Sequence, residues 1–153
     1  MKYWLMKSEP NVFSIDDLKK KKTSIWDGVR NYQARNFMMN DMHPGDCVLF
    51  YHSNATPPGV AGLATVSKQA TADPTQFDKD SEYYDPKSSK EKPRWFCVEV
   101  QFKEKFKHFV SLDVIKQTPD LKDMLVVQKG QRLSIQPVEK KHFDKILKMA
   151  LKQ

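Results

Sequence analysis

Cysteine, glycine and long apolar runs are scarce in this chain, and each scarcity excludes a class of protein. Two cysteines among 153 residues cannot build the disulfide framework of a small secreted scaffold. Cys47 and Cys97 sit inside strand-like segments with no His or Cys at ligand spacing, so both read as buried thiols rather than zinc ligands. The five glycines are scattered as single turn residues, and none forms a phosphate-cradling loop. A Gly-x-Ser-x-Gly elbow and a His-Glu-x-x-His pair are also missing. No apolar run approaches the ~18 residues of a membrane span, and the start MKYWLMKSEP lacks the apolar core and cleavage site of a signal peptide. We therefore expect no membrane partner, no metal and no cofactor, in a reducing compartment: cytoplasm for a compact bacterial-type chain, nucleus for a eukaryotic one. No internal repeat is visible.

What is present suits a single domain over residues 1–153, acting as a monomer. Nine Phe, five Tyr and three Trp supply large burial areas for a chain with only 39% hydrophobic residues. The formal net charge of +7 and a pI near 9.3 make an anionic partner a live prior, although such a balance also serves solubility.

The patterning gives several short elements. Lys2 to Lys7 reads as a strand. Ser14 with Asp17 three residues on marks a helix start, with Phe13 and Leu18 as a hydrophobic staple. That helix runs into Lys19 to Lys22, which fit a solvated helix end better than a phosphate site. From Asn31, the residues Ala34, Phe37, Met38 and Met42 form the apolar stripe of a helix whose other side carries Asn31, Tyr32, Arg35 and Asn36.

Asp46 to Ser53 alternates, Val48 and Phe50 against Leu49 and Tyr51, and pairs as a hairpin with a strand over 59–70. In 95–102, Phe96, Val98, Val100 and Phe102 face away from Cys97, Glu99 and Gln101. The polar stretch 71–94 is too long for an ordinary connection, and Tyr83 and Tyr84 favour its folding back on the body. Short capped helices at Ser111 and Thr118, a strand over 132–138 and a terminal helix complete the chain. In the terminal helix Phe143, Ile146, Leu147, Ala150 and Leu151 make the core stripe, while Lys140, Lys141, Lys145, Lys148 and Lys152 face away or flank it. These elements lack a strict βαβ alternation and imply an α+β domain on a curled sheet or barrel.

Chemistry concentrates in one place. Cys47 with His43 or His52 could form a nucleophile pair, but a thiol in an apolar strand is far more often packed. Asp16 and Asp17 are explained by the helix start. Residues 24–36, SIWDGVRNYQARN, instead gather a Trp, a Tyr, two Arg, two Asn and a Gln. Such groups suit a planar base, stacked on an aromatic face and read at its edge by amides and guanidinium. Trp26 is equally readable as core; its polar neighbours Asp27, Gly28, Arg30 and Asn31 lead us to expect a base platform.

WLMKSEP at 4–10, WDGVRNYQARN at 26–36, GD at 45–46, FYHS at 50–53, DPTQFD at 73–78, YYDPKS at 83–88, PRW at 93–95 and RLSIQPV at 132–138 span the whole chain. Together they resemble the EVE domain family. The resemblance implies a PUA-like fold, a curled β-barrel with short helices packed around it, akin to YTH and ASCH domains. It also implies a non-catalytic reader of a modified base, chiefly modified cytosine such as 5-methylcytosine in DNA, flipped into a pocket. A reader of modified RNA is the main alternative; an enzyme on nucleic acid and a protein-interaction domain are the others. Carried onto this sequence, the implied pocket uses Lys7, Ser8, Glu9, Trp26, Asn31, Tyr32, Arg35, Asn36, Tyr51, His52 and Ser53, with Arg132 and Ser134 from the last strand.

Overall fold

The computed structural model describes residues 1–151; Lys152, expected to face away from the terminal helix's core stripe or flank it, lies outside them. Six strands form one mixed sheet in the order β2-β5-β4-β3-β1-β6: β1 Tyr3–Ser8, β2 Thr23–Ile25, β3 Cys47–His52, β4 Gly59–Ala72, β5 Phe96–Ser111 and β6 Ile135–Val138. β1 and β3 run parallel, Tyr3 opposite Cys47 through to Ser8 opposite His52, and the other pairings are antiparallel. The sheet is a curled layer whose edges are three- and four-residue strands, so the expected barrel is not closed. One edge, β6, carries Pro137, a residue that strand edges tolerate because no ladder donor is needed there.

Alternation along the central strands divides the interior into two cores. Trp4, Met6, Val48 and Phe50 pack with Ile15, Leu18, Trp26, Ala34 and Met38 on one face. Leu5, Leu49 and Tyr51 pack with Ile115, Phe143 and Ile146 on the other. Helix α1, Ile15–Lys21, starts at the expected capping box, in which Asp17 N donates to Ser14 Oγ and Ser14 N donates to Asp17 Oδ2. Helix α4, Lys140–Leu151, buries Phe143, Ile146 and Ala150 as read from its period, whereas Leu151 is exposed.

The differences from expectation have local causes. The helix at Asn31 is α-helical only over Tyr32–Asn36 (α2) and continues as a π-helical turn over Phe37–Asp41. Met42 N donates to Phe37 O, and this wider turn keeps Ala34, Met38 and Met42 buried at a spacing of four. β5 extends to Ser111 instead of stopping near Phe102, because Phe106 and Val110 anchor its polar half in the second core. Register shifts along β4 and β5 also bring Cys97 into the core beside Val98, where burial pushes its thiol pKa up to about 12. Ser111 caps α3, Leu112–Gln117, as expected, but Thr118 spends its hydroxyl on Val114 O. The last strand is shorter than read, so Arg132 and Ser134 belong to the loop that enters β6.

Candidate functional site

Because β1 and β3 are parallel, their C-terminal ends KSE and YHS emerge side by side. Ser53 N donates to Ser8 O at 3.0 Å, and Lys7 N donates to Ser134 O at 2.8 Å, which brings the loop before β6 to the same end. Beside it, Asn31 begins α2, its Oδ1 accepting from Ala34 N at 2.9 Å. Asn31, Arg132 and Ser134 then share a cleft of about 250 Å³ with Gln33, Gln131 and Leu133. Three expected residues from segments a hundred residues apart thus line one wall. Among the described residues, the Arg132 guanidinium and the Ser134 hydroxyl have no internal hydrogen-bond partner.

A second cluster flanks α2 on its other side. Tyr32 stacks on Trp95, centroids 4.9 Å apart and planes 20° from parallel, with 48% of its surface still open. Arg35 lies over the Tyr32 ring at 4.7 Å, and Arg94 reaches the Tyr32 hydroxyl. Arg35 Nη1 donates to Arg94 O at 2.8 Å, and its Nε and Nη2 donate to Asn36 Oδ1. This platform is fixed by the 71–94 segment, which folds back as its tyrosines suggested. Arg30 donates to Asp73 Oδ2, Thr75 Oγ1 and Tyr83 O.

Asp73 also accepts from Gly28 N at 2.8 Å and from Thr75. Burial raises the Asp73 pKa, but these hydrogen bonds, led by Thr75, outweigh it and leave the carboxyl below its ordinary value. Gly28 has a φ of +80°, and a Cβ there would meet the Tyr83 ring at 2.7 Å, so the Asp27–Gly28 turn needs glycine twice over.

Other expected residues are placed differently. Trp26 is a correction: its indole is only 8% exposed, set edge-on to Phe50 with centroids 5.6 Å apart, within the first core. The open aromatic face is Tyr32. Strand alternation sends Tyr51 into the second core, where Lys7 Nζ lies 5.8 Å from its ring centroid. Burial lowers the Lys7 pKa and raises that of Tyr51. His52 points to the opposite face and accepts from Ile15 N at 3.1 Å, closing the start of α1; desolvation lowers its pKa. Ser8 Oγ donates to Phe13 O at 2.6 Å, and Glu9 is held by Asn54. Ser8 and His52 are thereby committed to holding the segment after β1, and the thirteen expected residues do not form one pocket.

Trp95 and Arg94 were not among the expected site residues. Their signal was the PRW motif, but only the fold brings it to Tyr32, some sixty residues away.

A family model described as EVE domain matches residues 2–149. Thymocyte nuclear protein 1 of Homo sapiens is 44% identical over 99% of this chain and 75% of that protein. A solved structure of a Pseudomonas syringae protein superposes with a TM-score of 0.93 at 46% identity, covering 97% of this chain and 99% of its own. Human THYN1 protein, solved in complex with 5-methylcytosine-containing DNA, superposes with a TM-score of 0.90 at 44% identity, covering 100% and 99%. An ASCH protein of Zymomonas mobilis, 10% identical with a TM-score of 0.56, shares the fold alone.

Proposed function

The chain belongs to the EVE domain family, and on that premise we propose that it is a non-catalytic reader of modified cytosine in DNA. The observation that carries the reading is the similarity, across the whole chain, to a human protein solved with 5-methylcytosine-containing DNA. The local chemistry supports it. A cleft of about 250 Å³ suits a single base. Asn31, Gln33, Arg132 and Ser134 offer amide, guanidinium and hydroxyl groups to its hydrogen-bonding edge, and Leu133 offers apolar contact to a 5-methyl group. Tyr32, backed by Trp95 and flanked by Arg35 and Arg94, provides a face for a neighbouring base and charge for its phosphate.

Extruding a base costs a few kcal/mol, offset by stacking and edge hydrogen bonds. A single methyl contact is worth only ~1–3 kcal/mol, so discrimination is modest. Of the remaining residues carried from the resemblance, Lys7 holds the cleft wall through its backbone bond to Ser134 O, Ser8, Glu9, Tyr51, His52 and Ser53 order the strand ends beside it, and Trp26 packs in the first core. The domain works as a monomer where the DNA is: the nucleus in a eukaryote, the cytoplasm in a bacterium.

The test is a binding panel of DNA and RNA oligonucleotides with and without cytosine and adenine modifications. Tightest binding to 5-methylcytosine-containing DNA is expected. A preference for RNA, or equal affinity for modified and unmodified DNA, would overturn the assignment, and turnover of any oligonucleotide would overturn its non-catalytic part.

A further inference from the structure

A second cavity, of about 310 Å³, lies at the other end of β6 from Arg132 and Ser134, between that edge strand, the 123–125 loop and the first turn of α4. Nothing in the base-reading account uses it. Its volume is at the lower end of small-molecule sites, which span ~300–1,000 Å³. Met124, Leu125 and Val138 give it an apolar wall.

Two polar side chains line it that are almost wholly withdrawn from solvent, Gln136 at 1% and His142 at 3% exposure. Gln136 spends its Nε2 on Leu133 O at 2.9 Å, which leaves its Oε1 without an internal partner among the described residues. Glu139 Oε2 lies 3.7 Å from His142 Nδ1, beyond hydrogen-bond reach. No side-chain N or O atom among the described residues is both sealed from solvent and unpaired, so Gln136 Oε1, which has no protein partner, opens onto the cavity, where a ligand donor can reach it.

The character of that ligand follows from the lining. Asp123 and Glu139 stand at the wall, and no lysine or arginine lines the cavity in a chain of net charge +7. Lys140 is paired with Asp144 at 2.7 Å, and Lys141 reaches Glu139 only at 4.0 Å. An amide oxygen and two carboxylates line the cavity beside an apolar wall, a set of acceptors that calls for a donor-rich cation with a short carbon chain.

We propose that this cavity is a second ligand site for a small organic cation, an alkyl amine or guanidinium. Its N–H groups meet Gln136 Oε1 and the Asp123 and Glu139 carboxylates, and its carbons lie on Met124, Leu125 and Val138. The same group occurs in free metabolites and on the lysine and arginine side chains of a partner.

The test is titration of the isotopically labelled protein with n-butylguanidinium, and with its neutral isostere N-butylurea, followed by NMR. Saturable shifts at Leu125, Gln136 and His142 are expected, with the urea binding at least about tenfold more weakly. The double variant Asp123→Asn/Glu139→Gln changes only wall carboxylates; it should melt like the parent and lose at least about tenfold in guanidinium affinity. A short Gly/Ser peptide with one central arginine separates the two sources: binding by peptide and free probe assigns a side-chain pocket, and binding by the free probe alone assigns a metabolite pocket. Absent shifts, equal binding of the urea, or full retention of affinity in the double variant would overturn the proposal.

Discussion

The two sides of α2 hold similar residues in opposite conditions. On one side Arg30, Asp73, Thr75 and Gly28 are bonded to one another. On the other, Arg132 and Ser134 face a cleft with side chains that have no internal hydrogen-bond partner among the described residues. The difference teaches how one polar stretch serves two ends: residues 26–30 fasten the long 71–94 segment, and residues 31–36 are thereby held rigid beside an open cleft. Preorganisation of this kind lowers the ordering cost that binding would otherwise carry.

The largest effect should come from the core beneath both sides. Trp26→Ala removes an indole that packs against Phe50, and thermal or chemical denaturation should show a loss of about 3–5 kcal/mol. A variant that melts like the parent would return Trp26 to the surface.

Next comes the fastened side. Asp73→Ala leaves the half-buried Arg30 guanidinium without its carboxylate, a loss of about 3 kcal/mol by the same measurement. The pH dependence has the same origin. The Asp73 pKa is lowered in the folded chain, so its contribution is complete above the unfolded carboxylate value of about 4 and fades as pH falls through that value and then through the folded one. Melting temperature against pH should therefore decline more steeply on the acid side for the parent than for Asp73→Asn.

Smaller still in stability, but not in binding, is Tyr32→Ala. With its ring half open but stacked on Trp95, the substitution should cost only about 1 kcal/mol of stability and remove ~1–3 kcal/mol of stacking from DNA affinity. If the melt falls and the affinity does not, Tyr32 belongs to the fastened side only. Salt should act least selectively: log affinity should fall with log salt, near −0.7 per neutralised phosphate on single strands, and a flat dependence would contradict phosphate contact.

Local signals in the sequence carried over well. The Ser14–Asp17 capping box and the alternation of β3 depend on neighbours in sequence and are found as read. The site was only partly legible, because its assembly is nonlocal. Nothing near Tyr32 shows that Trp95 and Arg94 will meet it, or that Arg132 and Ser134 will face Asn31. Adjacent motif residues are also parted by the sheet: in FYHS, Tyr51 and His52 go to opposite faces, so a motif read as one pocket serves two cores. Trp26 misled for a related reason, since a polar turn around it serves to dock the 71–94 segment while the indole itself turns inward.

The most direct measurement is the affinity of Arg132→Ala for 5-methylcytosine-containing DNA, taken beside its melting temperature. Arg132 is exposed and has no internal partner among the described residues, so the variant should fold as the parent does. Affinity should fall by about 1–3 kcal/mol, with the preference for modified over unmodified DNA reduced, as expected for a guanidinium at a base edge. Unchanged affinity and preference in a folded variant would contradict a base-reading role for the cleft.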